Sequence, residues 1–119
     1  MARILIIDDD ELMLNALTNL LQDEGYNLMI TADGPRGIEL YRKEKPDVVL
    51  LDLGLPSVSG LDVLKEIKQI DPNAKVIIIT GYPSEQMMEE AMKSGAFAFY
   101  EKPGVISKIM RVIKNALGA

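Results

Sequence analysis

The feature that most constrains the fold of this sequence is a regular alternation of short apolar runs with longer amphipathic stretches. The runs are too short to form buried helices, and their content of β-branched residues is typical of buried strands. The five predicted strands span residues 4–7, 27–31, 47–52, 75–80 and 96–100. Because a helix-length segment separates each pair of consecutive strands, we expect a parallel sheet that is covered on both faces.

Between the strands, apolar residues recur at the three- and four-residue spacing of an amphipathic helix. The predicted helices span residues 11–24, 34–45, 61–70, 84–94 and 105–117. Right-handed crossovers then give an α/β fold with an open, doubly wound sheet of five parallel strands. We find no internal repeat and no linker, so residues 1–119 are predicted to form a single domain.

The composition excludes several classes of function. With 18 acidic and 13 basic residues the net charge is −5, which argues against direct binding to nucleic acid or to an anionic membrane. The chain has no Cys and no His, so disulfides, thiolate or histidine catalysis and a phosphohistidine carrier are excluded. The apolar runs are too short to span a bilayer and no secretory signal is present, so we expect a cytoplasmic protein.

Polar residues of particular types stand at the carboxyl ends of four predicted strands. In chain order these residues are Asp8, Asp9, Asp10, Asp52, Thr80 and Lys102. In a doubly wound sheet, ligands bind at this edge, where the strand order reverses. If the order is 2-1-3-4-5, the first and third strands lie side by side at that point. Their acidic residues are then expected to converge.

Three converging carboxylates, those of Asp8, Asp9 and Asp52, repel one another, so at least one should have a raised pKa unless a cation is bound. Carboxylate oxygens with open water positions suit Mg²⁺. Lys102 would add a second positive group, giving a site that holds a cation and accepts an anion beside it. Taken singly, these residues have simpler roles, and for Asp10 we favour an N-cap of the first helix.

These residues stand in motifs that resemble those of the receiver domains of two-component response regulators. The motifs are Ile-Asp-Asp-Asp at 7–10, Leu-Leu-Asp-Leu-Gly-Leu-Pro at 50–56 with Gly60, Ile-Ile-Thr-Gly at 78–81 and Lys-Pro at 102–103. The resemblance runs from Ile4 to Leu117 and implies a flavodoxin-like (βα)5 fold with strand order 2-1-3-4-5.

The resemblance also implies a role for each site residue. Asp52 would be the phosphate acceptor, and Lys102 would bind the phosphoryl group beside it. Asp9 would hold Mg²⁺ directly and Asp8 through water, with Asp52 and the backbone carbonyl of Gly54 completing the protein's ligands. Thr80 would be the switch hydroxyl and Phe99 the switch aromatic, and the Lys102–Pro103 peptide bond is expected to be cis.

The implied function is a signalling switch, which catalyses only its own phosphorylation and slow self-dephosphorylation. The phosphoryl donor would be a sensor histidine kinase or a histidine phosphotransfer protein. Phosphorylation would change the surface of the fourth helix, fifth strand and fifth helix, which receivers use to form homodimers or to engage an output partner. The chain would act alone or as the N-terminal part of a longer, possibly transcriptional, regulator.

Two other functions use the same residues. A Mg²⁺-dependent phosphohydrolase with an aspartate nucleophile would use Asp8 and Asp10 as its acid pair, but the chain lacks a cap domain and a late acidic cluster. A receiver-like protein that binds partners without phosphorylation is the other alternative. The intact set of acidic, hydroxyl and lysine residues argues against it.

Overall fold

The computed structural model describes residues 2–55 and 58–118. Within them, five strands form one parallel sheet in the order β2-β1-β3-β4-β5, which confirms the predicted fold and strand order. The strands are β1 Arg3–Ile7, β2 Asn27–Thr31, β3 Val48–Leu51, β4 Val76–Thr80 and β5 Ala98–Glu101. The helices are α1 Glu11–Asp23, α2 Gly34–Glu44, α3 Gly60–Ile70, α4 Glu85–Lys93 and α5 Ile109–Gly118, with a 3-10 turn at Gly104–Ser107.

The hydrophobic core consists of two layers, one on each face of the sheet. Alternate strand residues such as Leu5 and Ile78 pack with α2, α3 and α4, while their neighbours Ile6 and Ile77 pack with α1 and α5. The apolar side chains of the three inner strands are almost completely buried. Burial on both faces explains why these strands read as continuous apolar runs, and it makes their carboxyl ends a fixed platform.

Four of the helices begin at a polar residue that caps the first turn. The side chains of Asp10, Asp33, Ser59 and Ser84 each accept a hydrogen bond from a backbone N–H in that turn. The predicted role of Asp10 as an N-cap is thereby confirmed. No helix in the described part of the chain is long and apolar enough to cross a membrane.

The end of the chain differs from the single helix predicted from residue 105. Residues Gly104–Ser107 form a 3-10 turn, in which Ile106 N–H donates to the Pro103 carbonyl and Lys108 N–H to the Val105 carbonyl. The Ser107 hydroxyl donates to the carbonyl of Gly104, an oxygen that an α-helix would have used for its own ladder. The α-helix therefore begins only at Ile109.

The fifth strand also begins later than predicted, at Ala98 instead of residue 96. The Ala96 N–H donates to the carbonyl of Ala91, which belongs to the last turn of α4. This bond ties Ala96 to the end of the helix, so the strand starts after it. Pro56, the last residue of the motif at 50–56, and Ser57 lie outside the described residues.

A buried tyrosine gives a test of the packing between α2 and α3. The ring of Tyr41 is 4% exposed, and its hydroxyl lies 3.4 Å from Oδ2 of Asp71 at the end of α3. Burial, together with the charge of Asp71, raises the pKa of Tyr41 to about 12. The folded protein therefore keeps this proton at pH values where the unfolded chain loses it, so the stabilisation present below pH 10 disappears as the pH rises to about 12.

We predict that Tyr41→Phe lowers the free energy of unfolding by about 1 kcal/mol near pH 8, because the hydrogen bond to Asp71 is lost. Between about pH 10 and pH 12 the difference in free energy of unfolding should shrink and then reverse, because the parent loses stability as its unfolded chain gives up the phenol proton that the folded protein keeps, while the variant has no phenol. Urea unfolding at a series of pH values measures both effects. A gap that stays constant across this range would contradict the account.

Candidate functional site

The buried polar side chains mark the carboxyl edge of the sheet. Among the described residues, the polar or charged side chains classed as buried are Asp8, Asp52 and Thr80, which are 2%, 6% and 3% exposed. They follow or end β1, β3 and β4, respectively. Burying a charge is costly, so such residues are rare unless they are paired or functional.

The sheet ladder continues one residue past three strands and so fixes the backbone of three site residues. Asp8 N–H donates to the Thr31 carbonyl at 3.0 Å, and Asp52 N–H donates to the Ile7 carbonyl at 2.9 Å. Lys102 N–H donates to the carbonyl of Thr80 at 2.9 Å. The residues predicted from the strand ends are therefore held by the rigid part of the fold, not by free loops.

The carboxylates predicted to bind a cation come together at this edge. Asp8, Asp9 and Asp52 each offer an oxygen within 4.8 Å of the others. Asp8 and Asp52 are buried and Asp9 is exposed, so the group opens to solvent on the side of Asp9. Three hard oxygen donors of this kind fit Mg²⁺.

Lys102 makes ion pairs with both buried carboxylates. Its Nζ lies 2.9 Å from Oδ2 of Asp8 and 3.3 Å from Oδ2 of Asp52, and its side chain is only 10% exposed. The same Nζ is 3.6 Å from Oδ2 of Asp10, a contact that the strand-end pattern does not predict. The Lys102–Pro103 peptide bond is cis, as the motif implied.

The negative charge of Asp8 is only partly compensated by its hydrogen-bond and ion-pair partners. Burial raises the pKa of Asp8 from 3.8 to about 6, and the charge of Asp52 adds to this, despite hydrogen bonds from Asp10 N–H and Lys102. A raised pKa was predicted from repulsion among carboxylates, but desolvation is the larger cause. Burial lowers the pKa of Lys102, but Asp8 and Asp52 outweigh it and leave that pKa above its ordinary value.

The orientation of the Asp52 side chain is set from within its own loop. Its Oδ1 accepts a hydrogen bond from the N–H of Gly54 at 3.0 Å, while its Oδ2 faces Lys102. Gly54 is the residue whose carbonyl was predicted to bind the metal. Its amide thus has a second function, which spacing alone did not indicate.

A cavity of about 530 Å³ opens above these residues. Its polar wall includes Asp9, Asp52, Gly54, Thr80 and Lys102. Its apolar wall comes from α1 and from the segment after β5, and consists of Leu12, Met13, Ala16, Pro103 and Ile106. Strand-end reasoning could not find this apolar wall, because its members lie on helices and look like ordinary amphipathic positions.

The two predicted switch residues lie in different surroundings. Thr80 lines the cavity, and its Oγ1 accepts a weak hydrogen bond from Tyr82 N–H at 3.4 Å. Phe99 is half-buried and packs against the core layer formed with α2, α3 and α4, so it is not among the residues that line the cavity. The structure thus places the predicted metal and phosphate residues together, with Phe99 set apart.

Comparisons with known proteins agree with this arrangement. The family model described as "Response regulator receiver domain" matches residues 4–114. Over 115 residues, the chain is 36% identical to sporulation initiation phosphotransferase F of Bacillus subtilis, covering 97% of this chain and 93% of that protein. A receiver domain protein (CheY-like) from Methanospirillum hungatei superposes with a TM-score of 0.94 at 31% identity, covering 99% of this chain and 94% of that one.

A third similar structure is a response regulator protein from Burkholderia pseudomallei with a phosphorylated aspartic acid, calcium ion and citrate. It matches at 28% identity with a TM-score of 0.87, covering 98% of this chain and 69% of that one. The family match spans nearly the whole chain, and the shared fold includes the sheet edge that carries the acidic residues. The chain therefore belongs to the response regulator receiver domain family of two-component signalling.

Proposed function

We propose that residues 1–119 act as a phosphoacceptor receiver, with Asp52 taking a phosphoryl group from a partner phosphohistidine. The observation that carries this proposal is the buried carboxylate of Asp52 at the floor of an open cavity, 3.3 Å from the ammonium of Lys102. The family interacts with histidine kinases or phosphotransfer proteins. A relative named as a phosphotransferase and a neighbour with a phosphorylated aspartic acid support the same chemistry here.

Mg²⁺ is the proposed cofactor, since receiver domains typically bind it and the donor set suits it. Asp8, Asp9 and Asp52 would supply carboxylate oxygens, together with the carbonyl of Gly54. A divalent cation bound there neutralises charge on the phosphoryl group and on the carboxylates. The raised pKa of Asp8 supports a cation site, because a buried acid that is poorly compensated in the metal-free protein gains most from a bound cation.

In the proposed transfer, an oxygen of Asp52 attacks the phosphorus of the donor, forming a P–O bond as the P–N bond to the imidazole breaks. The electron pair of the broken bond returns to the imidazole nitrogen. Lys102 is placed to hold a phosphoryl oxygen, since its ammonium already faces Oδ2 of Asp52. The Gly54 N–H keeps the other carboxylate oxygen oriented, so the protein contributes positioning and charge compensation, as phosphoryl transfer requires.

The new phosphoryl group would act on the switch through Thr80. Its hydroxyl lines the cavity and accepts a weak hydrogen bond from Tyr82 N–H at 3.4 Å, so we expect it to turn toward a phosphoryl oxygen. Phe99 would follow, altering the surface of α4, β5 and α5 in a two-state change. Met88 and Met92 are 41% and 45% exposed on α4, which supports this surface as the place of homodimerisation or output binding.

The protein would thus work as a switch and not as an enzyme on external substrates, catalysing only its own phosphorylation and slow self-dephosphorylation. We propose a cytoplasmic location, where ATP is available to phosphorylate the histidine of a partner kinase. It would control its output alone or as the N-terminal part of a longer regulator.

We predict that acetyl phosphate with Mg²⁺ adds a single phosphate to the parent protein and none to Asp52→Asn. The variant has no carboxylate at the floor of the cavity, so no acyl phosphate can form there. Intact-protein mass spectrometry measures the addition. Asp62→Asn, which changes an exposed acid on α3, is the control and should be labelled like the parent. Undiminished labelling of Asp52→Asn would refute the assignment.

We predict that Mg²⁺ raises the melting temperature of the parent but not of Asp9→Ala. A ligand at about 100 times its dissociation constant stabilises the folded state by roughly 2.7 kcal/mol, and Asp9 supplies an exposed oxygen of the proposed site. Thermal unfolding followed by circular dichroism at increasing Mg²⁺ gives the shift. The control Asp23→Ala removes an exposed acid at the end of α1 and should show the same rise in melting temperature with Mg²⁺ as the parent. If Asp9→Ala responds to Mg²⁺ like the parent, the metal site lies elsewhere.

We predict that Asp8→Asn stabilises the metal-free protein above pH 6. The folded-state pKa of Asp8 is raised from 3.8 to about 6, so the stability that its proton provides is complete below pH 4 and lost as the pH rises through 6. The neutral amide avoids this loss, which is about 3 kcal/mol. Urea unfolding in EDTA at pH 4 and pH 7.5 tests this prediction. The free energy of unfolding should be higher for the variant than for the parent at pH 7.5 and nearly equal for the two proteins at pH 4. A variant less stable than the parent at pH 7.5 would contradict the prediction.

A further inference from the structure

We propose that Gly60 is a positioning residue for residues 52–55, which we call the acceptor loop. Only a residue without a side chain lets the start of α3 pack against the backbone of Asp52 and Leu53. The inference rests on the proposed phosphoacceptor function. Gly60 does not touch the reacting atoms. It acts through the loop that carries the acceptor and the predicted metal-binding carbonyl of Gly54.

The close approach at Gly60 is between backbone atoms. A Cβ on this residue would lie 2.4 Å from Cα of Leu53 and 2.6 Å from the carbonyl oxygen of Asp52. Carbon and oxygen atoms that are not bonded cannot come this close, and neither of these two can turn away as the tip of a side chain can. The N–H of Gly60 also donates to the Leu53 carbonyl at 3.2 Å, which draws the two segments together.

The need for glycine here concerns space and not backbone conformation. Positive φ angles occur at Gly25 and Gly95 among the described glycines, and not at Gly60. A larger residue could therefore adopt the backbone conformation of Gly60, but it would have to push the loop aside.

The sheet limits how the loop can move. Asp52 N–H is bound to the Ile7 carbonyl of β1, so the beginning of the loop is fixed to the sheet. A Cβ on Gly60 would press on the backbone of Leu53 and so on the segment formed by Leu53 and Gly54. Because Gly54 N–H holds Oδ1 of Asp52 at 3.0 Å, a shift of this segment would turn the acceptor carboxylate and move the carbonyl of Gly54 together.

Gly37 provides a matched control for the steric effect. A Cβ on Gly37 would lie 2.5 Å from Cδ1 and 2.8 Å from Cγ1 of Ile7, so it also clashes, but with side-chain atoms in the core and not with backbone. The backbone of Ile7 is paired with β2 and β3 on its two sides, so it is held in the sheet. Gly37→Ala should therefore reduce stability without moving the acceptor loop. Gly118→Ala, where a Cβ would meet nothing within 4 Å, is the neutral control.

The test measures Mg²⁺ affinity by calorimetry and the rate of phosphorylation by acetyl phosphate at saturating Mg²⁺. All variants are compared at a temperature at which circular dichroism shows them folded. Gly60→Ala should weaken Mg²⁺ binding by about tenfold, which is typical when a residue that supports a metal ligand is replaced. It should also lower the saturated rate by at least about tenfold, since a misplaced acceptor is not restored by filling the metal site. Gly37→Ala and Gly118→Ala should stay within about twofold of the parent in both quantities.

Parent-like affinity and rate in Gly60→Ala would overturn the inference, as would an equal loss in Gly37→Ala. A parent protein that takes no phosphate would instead refute the proposed function, so the two failures are distinct. If Gly60→Ala does not fold, the inference is tested by measuring amide hydrogen exchange in the parent protein with and without Mg²⁺. Mg²⁺ should slow exchange at the Gly60 amide more than at the Gly37 amide, because coupling between site and loop is reciprocal. Equal effects at both amides would overturn the inference.

Discussion

The candidate site depends on two buried carboxylates that share one ammonium group. Asp8 and Asp52 lie at the ends of neighbouring strands, and Lys102 reaches both from the end of β5. Buried ion pairs add little to stability once desolvation is counted, and here two acids share one base. The pKa of Asp8 is raised accordingly. We propose that a bound cation would neutralise this partly compensated negative charge, and that the Lys102 ammonium would meet the oxygens of a phosphoryl group.

The remainder of the fold keeps this charge in place. Each of the three residues donates its backbone N–H to the neighbouring strand, so their positions follow from the register of the sheet. The inner strands are buried on both faces, and four helices begin at capping side chains close to the same edge. The parts that we propose respond to phosphorylation are Thr80, Phe99 and the surface of α4, β5 and α5, which adjoin this fixed platform.

The sequence predicts the sheet and the acidic cluster because both follow from patterns that act locally. Apolar periodicity determines which segments form strands, and the parallel topology then brings Asp8 and Asp52 to one edge. Contacts that depend on side-chain direction are not accessible in this way, as the approach of Asp10 to Lys102 shows. The late start of α5 goes with the 3-10 hydrogen bonds of Gly104–Ser107, and apolar periodicity does not record such local bonds.

We propose above all that the buried carboxylate of Asp52, at the end of β3, receives the phosphoryl group. Borohydride reduces an aspartyl phosphate to homoserine, so reduction after incubation with acetyl phosphate and Mg²⁺ marks the acceptor chemically. Peptide sequencing by mass spectrometry should find homoserine at position 52, and aspartate retained at Asp8, Asp9 and Asp10. Homoserine at one of those three positions, or none at position 52 in a protein that has taken up phosphate, would contradict the account.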